Sequence, residues 1–400
     1  MSAIVVVGAG HAAIQLAASL RQGGYDGEIT LIEAEAGLPY QRPPLSKAYL
    51  SGQMEEKALA LRPESFYAAQ RVRLIEADPV VGIDRAGQVV RLGSGARVPY
   101  GHLVLATGAA NRALPVPGAE LPGVAGLRTL ADTKALKAVL PDLRRVVVIG
   151  AGFIGLEFAA VAAERGISVT VIEAAPRPLM RGVSAVMSDH LAAVHRGWGT
   201  RLLTGTGVRA VVGDGRAEGV ETSEGEVIAA DLVLVAIGVV PNTRLALEAG
   251  LEVGNGIVVD GLLSTGDPLI SAIGDCASFP MGGQMVRLES VQNASDQARS
   301  LADRLLGKPV PYARLPWFWS DQASLKLQIA GLSGGHDQAV LRGDPASGAF
   351  SVFCFRGERL LAVESLNRAA EHMMARRILA GEPRLTAGQA ADPGFDLRSA

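Results

Sequence analysis

Residues 4–34 read IVVVGAGHAAIQLAASLRQGGYDGEITLIEA, and residues 146–174 read VVVIGAGFIGLEFAAVAAERGISVTVIEA. Each stretch is a β-branched run, a glycine turn, an amphipathic helix, a second β-branched run and an acid, which is one βαβ unit written twice. In the first copy Gly8 makes the tight turn, Gly10 lets the backbone approach a pyrophosphate, and Ala13 keeps helix and strand close. Gly150, Gly152 and Gly155 fill these places in the second copy. Each helix start offers free N–H groups and a positive dipole end to phosphates. A lone GxGxxG also occurs in turns that bind nothing, but two strand-flanked copies, each closed by an acid, point to two dinucleotide sites. The fold class expected is α/β with two Rossmann-like domains.

The closing acids, Glu173 in the second copy and Glu33 in the first, are placed to accept from ribose hydroxyls. A carboxylate suits the free 2′-hydroxyl of NADH and repels the 2′-phosphate of NADPH. Arg177 and Arg181 lie near enough in sequence to act against that preference. Two short apolar runs, Leu103–Gly108 (LVLATG) and Leu232–Gly238 (LVLVAIG), read as strands returning to the two sheets. The run LISAIGDCA from Leu269 sets Gly274 and Asp275 after another strand. An Asp there can bind a polyol hydroxyl, and the following helix start can take phosphate.

The 400-residue chain is long enough for two or three domains, and its net charge of -2 predicts no affinity for nucleic acid or an anionic membrane. The two cysteines, Cys276 and Cys354, form no CxxC, and the six histidines show no ligand spacing, so no metal site is expected. His190 and His195 read as surface residues of one helix. The apolar stretch Val146–Ala163 has the length of a membrane span, but Gly150, Gly152, Gly155 and Glu157 fit a strand, turn and helix better. No room for a targeting peptide precedes the first strand, so a cytoplasmic protein is expected.

The order GxGxxA, RPPLSKAYL (Arg42–Leu50), ATG, LRTL, GxGxxGLE, AIG, GDCA, ESVQNA and PWFWSDQ (Pro316–Gln322) resembles the NADH-dependent ferredoxin reductases of bacterial oxygenase systems, from about Ala3 to Arg377. The resemblance implies a glutathione reductase-like fold. An FAD-binding domain is split over 1–111 and 240–312, an NADH-binding domain spans 112–239, and a C-terminal α+β interface domain spans 313–400. It places FAD contacts on Ala12, Lys47, Val80, Arg128, Asp275 and Val291, and an aromatic near the flavin edge on Trp319. Further cofactor contacts are implied at His11, Arg42, Ala106, Thr107, Gly108, Phe153, Ile154, Arg181, Ile237, Gly238, Gly274, Glu289 and Ser290. Relatives set the first ribose acid where this chain has Ala34, so Glu33 or Glu35 serves instead.

The resemblance also implies a catalytic pair. Lys47, in a loop stiffened by two prolines, would stabilise negative charge on reduced FAD, and Glu157 would orient Lys47. Disulfide reductases of this fold carry cysteines in the segment that here reads RPPLSKAYL, which has none. Electrons from NADH then leave FAD directly and singly, which suits a [2Fe-2S] ferredoxin feeding a cytochrome P-450 type monooxygenase or a Rieske dioxygenase. Arg62 and Arg299 are the implied docking cations for this acidic partner, with Arg287 and Lys326 as secondary candidates. The alternatives are reduction of rubredoxin or of monodehydroascorbate, and a non-enzymatic flavoprotein like apoptosis-inducing factor.

Beyond about Pro311 the texture changes. Leu325–Ala330 and Ala349–Phe355 read as strands, and Leu366–Leu379 as a helix. The tail beyond Gly381, rich in Ala, Pro and Gly, is expected to be loosely held.

Overall fold

The computed structural model describes residues 3–381 and 384–399. The chain forms two compact bodies. The first comprises residues up to Gln41, Glu56–Ala110 and Val240–Arg314; the second comprises Arg42–Glu55, Asn111–Val239 and residues from Leu315 onward.

The first body is built on five parallel strands in the order Ile270–Ala272, His102–Leu105, Ile4–Val7, Ile29–Ile32, Val72–Ile75. Ile4, Val5, Val6 and Val7 are all buried, as both faces of a parallel sheet must be when helices cover it. The helix His11–Gln22 returns over this sheet on Ala12, Ala13, Leu16, Ala17 and Leu20. The GDC turn Gly274–Cys276 is a single 3-10 turn that leads into the strand Ala277–Met281. The next helix along the chain starts at Val291, capped by the Ser290 hydroxyl.

The second body repeats the plan. Its parallel sheet runs Arg201–Thr204, Ser168–Glu173, Arg145–Ile149, Leu232–Val235, Val124–Ala125. The helix Phe153–Glu164 is buried at every position from Gly155 to Ala162, because it lies between this sheet and an antiparallel C-terminal one. A helix apolar all round is a core helix, which is why its sequence mimics a membrane span. Among the described residues, no helix is long and apolar enough to cross a membrane.

The antiparallel sheet runs Trp317–Gln322, Leu325–Gly331, Arg359–Leu366, Ala349–Arg356, Gln338–Asp344. Leu325, Leu327, Phe350, Val352 and Cys354 share one core with Leu156, Ala159 and Leu50. The loop carrying Lys47 therefore belongs with this body. Leu366 ends a strand, and the helix read from there begins only at Ala369.

The tail departs from expectation. Residues 384–399 hold a helix, Ala387–Ala391, and bury Leu385, Ala390 and Leu397. The Arg342 guanidinium donates to the carbonyls of Ala390, Asp392, Pro393 and Phe395. An internal cation thus helps fix a segment whose Ala, Pro and Gly content reads as loose, together with the Thr386–Gln389 capping box at its helix start. Glu382, Pro383 and Ala400 of that tail, like the N-terminal Met1 and Ser2, lie outside the described residues.

Candidate functional site: two nucleotide loops and a buried ion pair

In the first body, Gly8 has φ +101°, and a Cβ there would stand 2.3 Å from the Ala106 carbonyl oxygen. Only glycine fits such a turn. Gly10 is extended, and a Cβ on it would meet nothing within 4 Å. The helix that follows has no side-chain cap. Gly274, at φ +78°, would bring a Cβ to 3.3 Å from that of Ala12, and its amide donates to Gln297 Oε1 at 2.7 Å. The GD turn thus abuts the helix start, and Asp275 follows it.

Glu33 closes this loop. Its carboxylate accepts from the amides of Ala9 (2.8 Å) and Ala34 (2.8 Å). Glu35 instead accepts from the Tyr40 hydroxyl at 2.7 Å. Val80 is buried in the strand Val80–Asp84. The Thr107 hydroxyl donates to the Asn242 carbonyl, and Gly108 has φ +66°.

In the second body the same geometry recurs. Gly150 has φ +102°, and its Cβ would stand 2.4 Å from the Ala236 carbonyl oxygen. On Gly155 a Cβ would lie 2.2 Å from the Gly150 carbonyl oxygen, while around Gly152 the nearest atom is 3.9 Å away. This helix too starts uncapped, with Ile154 at its mouth 42% exposed and Phe153 against Phe318. Glu173 accepts from the amides of Ala151 (2.7 Å) and Ala175 (2.8 Å). Arg177 donates to the carbonyls of Met180, Val183 and Ser184, so it braces its own loop. Arg181 is exposed beside Gly238, with Ile237 preceding.

The loop after Pro43 and Pro44 carries Lys47, whose Nζ lies 3.1 Å from Glu157 Oε1. Glu157 is 2% exposed. Ser46 Oγ donates to its Oε2 at 2.5 Å and Ser320 Oγ to its Oε1 at 2.6 Å. Burial pushes this carboxyl above the usual range, and Lys47 and the two hydroxyls act in the opposite sense. Lys47 Nζ also stands 5.7 Å from the Trp319 ring centre. Trp317 packs on Trp319 and under the Arg376 guanidinium. Arg42 donates to the Arg128 carbonyl at 2.9 Å.

Sequence reasoning paired Lys47 with Glu157 but missed Ser46, Ser320 and Gln322. All three stand inside the quoted motifs RPPLSKAYL and PWFWSDQ, beside residues it did select. It also placed His195 on the surface; the structure buries it fully, bonded through Nε2 to Gln322 Oε1 at 2.8 Å. His190 is partly buried against Phe350.

Of the docking residues, Arg62 is exposed over Phe66. Arg299 is exposed and pairs with Asp296, and Lys326 is exposed. Arg287 differs: its side chain is 8% exposed, paired with Glu289 and bonded to the Asp275 carbonyl. It supports the GD turn from within.

Both thiols are buried and unpaired. Cys276 Sγ donates to the Leu105 and Ile273 carbonyls, and Cys354 Sγ to Glu364 at 3.7 Å. Burial pushes both thiols up, away from the thiolate form that redox exchange requires.

Residues 2–298 match the pyridine nucleotide-disulphide oxidoreductase family, and residues 317–400 match the reductase C-terminal domain. The chain belongs to the pyridine nucleotide-disulphide oxidoreductases. Members of this family that resemble it hold FAD and use NAD(P)H, and the two open glycine loops fit two such dinucleotides. Rhodocoxin reductase of Rhodococcus erythropolis is 53% identical over 400 residues, covering 99% of this chain and 94% of that one. The crystal structure of the ferredoxin reductase for the CYP199A2 system from Rhodopseudomonas palustris superposes with a TM-score of 0.98 at 50% identity, over 99% of each chain. The covalent putidaredoxin reductase–putidaredoxin complex gives 0.96 at 39% identity, over 100% of this chain and 97% of that one.

Proposed function

We propose that this oxidoreductase carries electrons from NADH through FAD to a [2Fe-2S] ferredoxin serving a cytochrome P-450 type or Rieske oxygenase. The observation that carries the reading is the pair of half-buried Lys47 with buried Glu157, beside Trp319. Lys47 stands in the segment where thiol-dependent members of the fold need cysteine.

The flavin, when bound, accepts two electrons from NADH and releases them singly; the protein supplies position and charge. In this reading Gly8, Gly10 and the uncapped start of His11–Gln22 receive the FAD pyrophosphate, and Glu33 its ribose. Glu33 is preferred to Glu35 because it sits where Glu173 sits in the second loop, whereas Glu35 is engaged by Tyr40. Asp275, at the GD turn, takes the polyol chain. Gly150, Gly152, Arg181 and Glu173 receive NADH. Arg177 is engaged with its own loop, so the Glu173 charge disfavours a 2′-phosphate against Arg181 alone. Lys47 holds positive charge toward the reduced ring, and Glu157 holds Lys47. Exposed Arg62, Arg299 and Lys326 are the docking cations; Arg287 is committed to Glu289. Docking by steered charge suits a brief electron-transfer encounter. We place the protein in the cytoplasm, where NADH and such ferredoxins meet.

An anaerobic NADH titration of the purified protein, followed by ferredoxin or rubredoxin, tests this. Expected are a yellow protein bleached by NADH, rapid reoxidation by ferredoxin that slows with added salt, and ferricyanide reduction indifferent to salt. Rapid turnover with rubredoxin alone overturns the choice of acceptor.

A further inference from the structure

A line of buried polar groups leads away from Glu157 inside the second body. Ser320 Oγ lies 2.6 Å from Glu157 Oε1, Gln322 Nε2 3.2 Å from Ser320 Oγ, and His195 Nε2 2.8 Å from Gln322 Oε1. Glu157, Ser320, Gln322 and His195 are each at most 2% exposed. Among the described residues, His195 Nδ1 has no hydrogen-bond partner.

The chemistry of each group fixes the direction of every bond. An ionised carboxylate only accepts, so Ser320 must give its one hydroxyl proton to Glu157. The Ser320 oxygen then accepts from the Gln322 amide NH₂. That turns the Gln322 oxygen to His195, whose Nε2 must carry the proton. Reversing the line requires a protonated Glu157 and moves the histidine proton to Nδ1. A buried N–H without an acceptor costs about 1–3 kcal/mol, and orphaned N–H groups are rarer in protein interiors than under-satisfied acceptors. The lack of a hydrogen-bond partner at the buried Nδ1 therefore biases the whole line toward Glu157.

We propose that His195, through Gln322 and Ser320, is a positioning residue that sets the polarity of this line and so keeps Glu157 ionised for Lys47. The inference rests on the flavin-side role given above to the Lys47–Glu157 pair. An amide does not relay protons readily, so the line is a fixed set of dipoles and not a proton path. Burial pushes the His195 imidazole below its usual value, consistent with a neutral ring.

The ionisable groups on the elements packed against the helix Phe153–Glu164 leave Glu157 to Lys47. Arg145 pairs with Asp231, Glu173 is held by backbone amides, and Asp321 alternates to the other side of its strand from Ser320 and Gln322. Around His195 the neighbours are Gln322 and the Trp198 ring.

The first test reads the ring itself. Nitrogen-15 NMR of histidine-labelled holoprotein near neutral pH should show His195 as the neutral Nε2–H tautomer, its signals assigned by their loss in His195→Gln. An Nδ1–H tautomer or an imidazolium overturns the proposal. The measurement needs no turnover, so its failure is distinct from failure of the flavin reading, which would appear as a colourless preparation.

The second test uses two variants. The helix Ala185–Gly197 is also anchored at its start, where the Ser184 amide and hydroxyl donate to Glu364, so it keeps its place when the His195 bond is lost. His195→Phe should slow flavin reduction by NADH about tenfold and move the acid limb of its pH profile up by about one unit. His195→Gln keeps a donor at the same reach and should stay within about twofold, with the limb unmoved. An unmoved limb in the Phe variant, or equal slowing in both, overturns the proposal. Should the Phe variant fail to fold, the tautomer decides alone.

Discussion

Glu33 and Glu173 stand in equivalent places in the two nucleotide loops. Each accepts from the amide of the alanine between the first two glycines, Ala9 at 2.8 Å and Ala151 at 2.7 Å. Each also accepts, through its other oxygen, from an amide just beyond its strand. The acids therefore brace their own loops before any ligand arrives.

This predicts a change of coenzyme preference in Glu173→Gln. The amide keeps one backbone bond and loses the charge that repels a 2′-phosphate. The ratio of kcat/KM for NADH to that for NADPH should fall on the order of tenfold, with the flavin content unchanged. A ratio equal to that of the wild type would remove Glu173 from coenzyme choice.

Lys47→Met leaves Glu157 buried without its cation. A lone buried charge costs about 3–5 kcal/mol unless it takes up a proton, so the carboxyl should rise further and become neutral. Stopped-flow reduction by NADH should slow by roughly tenfold or more, the usual scale for losing a positioned charge. The melting temperature should drop, and adding Glu157→Gln should recover part of the stability but not the rate. Unchanged reduction kinetics would exclude Lys47 from the reaction.

The glycine loops were legible because their demands are local: a positive φ, a close carbonyl and a helix start all lie within a few residues. The Lys47–Glu157 pair came from motif resemblance. Ser320, Gln322 and His195 escaped because their meaning is tertiary. Nothing near His195 in sequence shows that its helix packs against a strand more than a hundred residues later, so a helical histidine beside Arg196 reads as surface. The tail was misread for the same reason, since Arg342, which orders it, lies far upstream.

Arg342→Met tests that last point. The variant removes the donor shared by four backbone carbonyls and its pairing with Glu371. A loss of roughly 2–4 kcal/mol is expected from these buried bonds. Limited proteolysis should cut the variant beyond Gly381 while the wild type resists, and ferricyanide reduction at low temperature should be retained. Equal protease resistance would show that the apolar contacts of Leu385, Ala390 and Leu397 suffice.

Two buried histidines predict how the fold responds to acid. Burial, aided by nearby arginines, pulls His102 and His372 down to about 4. Both are neutral in the native protein at pH 7, and both are protonated more readily once the chain unfolds. Their contribution is therefore complete above about pH 6.5 and is lost as pH falls toward 4, by up to about 3 kcal/mol each. Glu157 and Glu364, raised by burial, work in the opposite sense, favouring the fold at low pH and losing that contribution as pH rises. A variant comparison separates the terms. His372→Phe keeps the edge contact to Trp317 and removes one titration, so it should melt several degrees above the wild type at pH 5 and alongside it at pH 8. Parallel melting curves across that range would mean that His372 protonates without opposing the fold.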